Sequence, residues 1–219
     1  MNGTNALELI LTGGIIAISR GNYGDALLKS VEALASGGIK AVEVTFEQGL
    51  DPCVTAEAIA LLKTHFGGGG GDLAIGAGTV LTLEQLALAR DAGAEYVVSP
   101  NTDEAVIRET KRLGLASIPG AMTPSEIAFA SACGADIVKV FPAGSLGAGY
   151  FSAVTTPLSH IRCAAVGGVT LDNLLDFRRA GACCFGISST LFNSRLIREG
   201  RFDRIKELAA EFSVAFINS

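Results

Sequence analysis

Short apolar runs alternate with longer stretches whose apolar residues recur every three or four positions, and the alternation repeats eight times along the chain. The short runs read as strands at residues 14–19 (GIIAIS), 41–45 (AVEVT), 73–77 (LAIGA), 96–99 (YVVS), 116–119 (ASIP), 137–141 (IVKVF), 163–166 (CAAV) and 183–187 (CCFGI). The longer stretches read as amphipathic helices, for example residues 26–36 and 83–92. A glycine recurs just before the strands, in ASGGIK, DAGAEY, RLGLAS, ACGADI and RAGACC, where it suits the left-handed residue that closes a helix. Strands that are apolar at nearly every position are buried on both faces, as parallel strands are. Eight strand–helix units of even spacing predict a closed (β/α)₈ barrel in preference to an open doubly wound sheet. Residues 5–11 read as a further helix packed below the barrel. The five-glycine stretch at 67–71 falls before the third strand, opposite the face where barrel chemistry sits, and reads as a mobile connection rather than a phosphate cradle.

Composition narrows the function classes. The 219 residues suit one large domain spanning 1–219, because no linker-like stretch divides them. A net charge of −5 with scattered positive residues argues against a nucleic-acid partner. No apolar stretch reaches the length of a membrane span and no basic-then-apolar leader is present, so a cytoplasmic, reduced protein is expected. The five cysteines form no CxxC pair, and the adjacent Cys183 and Cys184 read as small buried hydrophobes. His65 and His160 stand alone, with no second ligand at useful spacing, so no metal is expected.

The chemistry is sought where polar residues interrupt the apolar strands. Lys139 sits among valines in DIVKVF. Burial disfavours the ammonium and lowers its pKa, and the neutral amine attacks ketones. The competing reading is a lysine that points outward and snorkels to water. Glu43, in AVEVTF and in phase with Thr45, is a carboxylate that must be paired, hydrated or in use. A glutamate of raised pKa suits proton shuttling in imine chemistry, and a structural ion pair between Glu43 and Lys139 is the compatible alternative. Gly167 and Gly168 follow the seventh strand, and Ser188 and Ser189 follow the eighth and are expected to open a short helix. Backbone amides at a helix N-terminus favour an anion, and barrels commonly bind phosphate after strands seven and eight; tight-turn chemistry alone is the alternative. Arg20 ends the first strand and could take a carboxylate bidentately, or stand as a solvated loop residue. Thr79 and Thr123 end the third and fifth strands; Thr123, followed by PSE, reads as a helix cap.

Six strings in register resemble the bacterial KDPG/KHG aldolases: VEVTF, IGAGTVL, VVSPN, SIPGAMTPSE, VKVFPA and AVGGV. The resemblance runs from about residue 14 to 191, nearly the whole chain. It implies a class I, pyruvate-forming aldolase, metal-free and homotrimeric, acting on a small keto-acid phosphate. In that reading Lys139 forms an imine with the C2 ketone and Glu43 is the general acid/base, acting through a water. The resemblance assigns Arg20 and Thr79 to the carboxylate, Pro100 and Phe141 to the pyruvate pocket, and Gly167, Gly168 and Ser189 to the phosphate. The family's typical substrate is 2-keto-3-deoxy-6-phosphogluconate, cleaved to pyruvate and glyceraldehyde 3-phosphate; many members also cleave 4-hydroxy-2-oxoglutarate to pyruvate and glyoxylate.

Three positions depart from the common pattern. Some members carry a carboxylate-binding arginine where this chain has Glu47, which leaves that role to Arg20. Val166 stands where the best-known members have threonine before the glycine pair. With Asn101 after SP, it is similar to the phosphogalactonate aldolases, which take the C4 epimer. The missing hydroxyl is worth about 1 kcal/mol of hydrogen bonding. Ser188 replaces a glycine found in many members. Two other classes compete: a different phosphate-binding barrel, such as a sugar-phosphate isomerase or a thiamin-phosphate-type synthase, which has no need of the Lys139 amine, and a non-catalytic phosphate-ligand binder, which would have no use for two buried charges.

Overall fold

In the computed structural model, residues 3–67 and 72–218 are described. Every strand pairing is parallel. The strands are β1 Ile15–Ser19, β2 Ala41–Thr45, β3 Ala74–Gly78, β4 Tyr96–Val98, β5 Ala116–Ile118, β6 Gly120–Ala121, β7 Val138–Val140, β8 Cys163–Val166 and β9 Cys184–Ile187. Their order is β5-β4-β3-β2-β1-β9-β8-β7-β6. The two ends of this order, β5 and β6, are consecutive pieces of one stave. Pro119 divides them because it has no N–H to give to the ladder. Its carbonyl still accepts from Lys139 N–H at 2.8 Å, while Ile118 C=O accepts from Ser99 N–H at 3.3 Å on the other side. The barrel therefore closes with eight staves, as the sequence pattern predicts, and the expected strand at 116–119 runs on to Ala121 across the proline.

Helices α1 Gly3–Gly13, α2 Gly24–Ser36, α3 Pro52–Phe66, α4 Leu83–Asp91, α5 Glu104–Arg112, α6 Pro124–Ala132, α7 Ala143–Thr155, α8 Leu171–Arg179, α9 Ser194–Arg198 and α10 Phe202–Ile217 accompany the strands. Two cores result. Outward strand residues such as Val42, Ile75, Val97 and Phe185 pack against the helices. Inward residues fill the barrel: Ile16, Ile18, Ala41, Ala74, Tyr96, Ile118, Ile137, Val166 and Cys184. Helix α1 seals the bottom, with Ala6 and Ile10 wholly buried against that inner cluster. Of the five-glycine stretch, Gly67 caps α3 and residues 68–71 lie outside the described residues.

The top of the barrel is organised by helix starts. Asp51, Thr82, Asp103 and Thr123 each accept a backbone N–H at the first turn of α3, α4, α5 and α6. Thr123 forms a full capping box with Glu126, which is its expected role.

Candidate active site

A cavity of about 420 Å³ opens at the C-terminal ends of the strands. It is lined by Ile18 and Arg20 from β1 and its loop, Glu43 from β2, Thr79 after β3, Pro100 after β4, Lys139 and Phe141 from β7 and its end, Val166 to Thr170 at and after the end of β8, Gly186 from β9, and Ser188, Ser189 and Thr190 after it. The sequence-derived candidates Arg20, Glu43, Thr79, Pro100, Lys139, Phe141, Gly167, Gly168, Ser188 and Ser189 are thus brought together at one site.

Lys139 points inward, because its neighbours Val138 and Val140 face the helices. It is 7% exposed, and its Nζ lies 4.9 Å from the centre of the Phe141 ring. Burial pushes its pKa down; Glu43 opposes that shift and Arg20 adds to it. Glu43 is still more enclosed, and burial pushes its carboxyl up against the pull of Lys139 and Arg20. Among the described residues no hydrogen bond or direct ion pair holds Glu43, so the alternative of a contact salt bridge with Lys139 does not describe it; the two act on each other through space. Room for the Glu43 carboxylate exists because residue 78 is glycine: a Cβ there would collide with its Oε1.

A second buried carboxylate shows what a structural one looks like. Glu95 is also 2% exposed, but it accepts from Ile75 N–H at 2.9 Å and pairs with Lys63 at 3.1 Å. Glu43 has neither support, and a buried charge without a partner marks a group in use.

Thr79 carries φ = 56°, a left-handed conformation that is strained for a β-branched residue. A relay holds it there. Gln48 Nε2 donates to Thr79 C=O at 3.1 Å, Gln85 Nε2 donates to Gln48 Oε1 at 2.9 Å, and Gln85 Oε1 accepts from Leu81 N–H at 2.8 Å. Glu47 does not line the cavity. It accepts from Tyr23 Oη at 2.7 Å, and burial, with this bond second, pushes the Tyr23 phenol up to about 12. The pair ties the loop carrying Arg20 to the end of β2, so Glu47 supports the arginine from outside the pocket.

The glycine-rich end of the cavity is shaped by backbone. Gly167 and Gly168 have φ = 85° and 75°, which side chains resist. Gly167 C=O accepts from Gly144 N–H at 2.7 Å at the start of α7. Asn173 reaches back from α8, accepting from Thr170 N–H at 2.8 Å and donating to Gly168 C=O at 3.0 Å. Ser188 and Ser189 do not open α9, contrary to expectation. Leu191 and Phe192 N–H close a single turn on Ser188 C=O at 3.0 and 2.9 Å, and α9 starts only at Ser194, capped by Asn193. The turn still presents residues 188–190 to the cavity.

Thr170, Thr190 and Ile18 also line the site and were not singled out by sequence reasoning. Thr170 and Thr190 adjoin the GG and SS signals and could have been read from them. Gln48 and Gln85 meet across 37 positions of the chain and leave no local signal, whereas Asn173 caps α8 from its own first turn and could have been read from Thr170 three residues earlier. Elsewhere, Cys184 is wholly buried as expected, while Cys183 is only partly covered, its Sγ 3.9 Å from that of Cys184. Among the described residues no group of three or more His, Cys, Asp or Glu side chains could hold a metal ion, and no helix is long and apolar enough to cross a membrane.

The family model for KDPG and KHG aldolase matches residues 7–208. The chain belongs to the KDPG/KHG aldolase family. It is a carbon–carbon lyase with the (β/α)₈ fold of its relatives. It is 36% identical to the 2-dehydro-3-deoxy-phosphogluconate aldolase of Treponema pallidum, covering 94% of this chain and 93% of that protein. It is also 36% identical to the 2-dehydro-3-deoxy-6-phosphogalactonate aldolase of Escherichia coli K12, covering 92% and 94%. A solved structure described as native KDPGal superposes with a TM-score of 0.81 at 33% identity, over 93% of this chain and 94% of that one. In this aldolase, then, the cavity at the strand ends is the place to seek the reaction centre.

Proposed function

We propose that the aldolase cleaves 2-keto-3-deoxy-6-phosphogluconate to pyruvate and glyceraldehyde 3-phosphate through an imine on Lys139, and that 4-hydroxy-2-oxoglutarate, cleaved to pyruvate and glyoxylate, is a second substrate. The observation that carries this is the enclosed pair: a lysine pushed toward its neutral amine facing an unpartnered glutamate pushed toward its acid form. The Lys139 amine attacks the C2 ketone, and water leaves to give the iminium. The C3–C4 bond then breaks, its electrons passing to the iminium nitrogen as the enamine forms. Glu43, acting through a water, takes the C4 hydroxyl proton as the aldehyde departs, and returns a proton to C3. Hydrolysis frees pyruvate and restores the amine. Arg20 and the Thr79 hydroxyl receive the carboxylate, and Pro100 and Phe141 wall the pyruvate methyl. Gly167, Gly168, Ser188 and Ser189 receive the phosphate at the N-terminal side of α8.

The proposal includes one barrel domain over 1–219 and a cytoplasmic homotrimer that needs no metal. A second reading, the galactonate-derived C4 epimer as substrate, is favoured by Val166, whose side chain lines the cavity where a threonine hydroxyl would otherwise meet the substrate. Steady-state kcat/KM for the gluconate- and galactonate-derived phosphates and for 4-hydroxy-2-oxoglutarate, measured side by side with and without EDTA, tests both. Pyruvate release from at least one, unaffected by EDTA, is expected. Turnover of none by the folded protein would contradict the reading.

A further inference from the structure

The barrel interior below Lys139 contains a polar group that takes no part in the cleavage steps. Tyr96 is wholly buried in the inner cluster, and its hydroxyl has no hydrogen-bond partner. Tyrosine hydroxyls that deep are normally satisfied, so an orphan one calls for a physical account.

The strand register supplies it. Glu43 on β2 is level with Gly76 on β3, and Gly76 is level with Tyr96 on β4. The three share the inward face, and the middle one has no side chain. The Tyr96 ring fills that space: a Cβ on Gly76 would collide with its Cδ2, Cε2 and Cζ atoms. The ring therefore lies over Gly76 on β3, next to the strand that carries Glu43, and Glu43 is the charged group that acts most on its hydroxyl. Thr45, one inward position above Glu43, also has a buried Oγ1 without a partner. Glu43 thus has two unsatisfied hydroxyls on the inward face it shares, where most of the other side chains are apolar. Unsatisfied groups so placed are what an internal water bridges.

We propose that Tyr96 is a positioning residue for Glu43: its hydroxyl donates, through one internal water, to the Glu43 carboxylate, holding its orientation and favouring its ionised form. The inference rests on the proposed role of Glu43 as the proton shuttle. The charged and titratable groups acting on Glu43 are Lys139 and Arg20, which also favour its ionised form, and Tyr96. Those acting on the phenol are Glu43, Glu95 and Cys184. Glu95 is engaged by Lys63 and Ile75 N–H through Oε2, and of the two carboxylates Glu43 acts more strongly on the phenol. With burial and the nearby carboxylates pushing the phenol well up, it stays protonated and able to donate throughout the working range.

The test is Tyr96→Phe, which removes one oxygen and keeps the ring over Gly76 within an apolar cluster, so folding is retained and is checked by thermal unfolding. The readout is exchange of the pyruvate C3 protons with deuterated water across pH. Borohydride trapping of pyruvate on Lys139 is run in parallel on wild type and variant. The limb belonging to Glu43 is the one that Glu43→Gln abolishes. Losing a donor to a carboxylate raises its pKa, so in Tyr96→Phe that limb moves up by about one pH unit, with trapping intact. An unmoved limb, whether or not stability changes, overturns the inference and makes Tyr96 a packing residue. Absence of trapping in both proteins would instead overturn the aldolase mechanism on which it rests.

Discussion

Side chains of one chemical type take different roles here according to their surroundings. Glu43 and Glu95 are equally buried, yet only Glu95 has a cation and a backbone N–H in contact. The sign of each shift in the reactive pair follows from this. Burial lowers the Lys139 pKa, so the neutral amine becomes available as pH rises through a value below the ordinary 10.5. Glu43 holds that value up; Glu43→Gln removes the carboxylate and moves the amine's limb further down. Glu43→Gln is expected to lower kcat by about 10²–10⁴-fold, the usual contribution of a positioned acid/base, while pyruvate still labels Lys139. A pH–rate profile of imine formation in that variant checks both statements; a limb that rises would reverse the electrostatic assignment. Gly78→Ala acts at the same place, because the new Cβ collides with the carboxylate. It is expected to destabilise by about 1–3 kcal/mol and to depress turnover, read by denaturant unfolding and steady-state kinetics.

At the scale of elements, helix starts fix where the loops of the active face begin. The Thr123–Glu126 box on α6 is the most complete: Glu126 accepts from the N–H groups of Met122 and Thr123 at 2.9 and 2.8 Å and from the Thr123 hydroxyl at 2.9 Å. Thr123→Ala is expected to lower stability by about 1 kcal/mol, seen as a lower denaturant midpoint. Those same bonds hold the Glu126 pKa below its ordinary 4.5. Its contribution is therefore complete above that value and is lost as pH falls through the lowered one. Glu126→Gln keeps the box but removes this part of the acid dependence, which acid titration of stability detects. Elements of this kind were readable from sequence, because a cap and an apolar run are local signals. Strands 41–45 and 163–166 were read to the residue for the same reason. The continuation of the fifth stave past Pro119 was not, because it depends on what β7 and the end of β4 offer across the barrel. The turn at Ser188 was misread as the start of α9 because GISS resembles a cap, whereas the cap is Asn193.

On the scale of the molecule, the barrel gathers ends of strands far apart in the chain into one cavity, while its inner core holds the buried Tyr96 hydroxyl below the reactive pair. Lys139 and Glu43 were legible because each breaks an apolar strand. Tyr96 was not, because a tyrosine in a strand is ordinary until its register beside Gly76 is known. The relay through Gln48 and Gln85 to Thr79 is likewise a product of tertiary packing, joining residues 31 and 37 positions apart. The central claim is that this closure places one amine where a ketone meets it. Borohydride reduction in the presence of pyruvate, followed by peptide mass mapping, tests it most directly. The account predicts a single reduced pyruvyl adduct on Lys139, loss of activity in step with labelling, and no adduct in Lys139→Met. An unlabelled Lys139 in folded, active protein, or an equal adduct on another lysine, would contradict it.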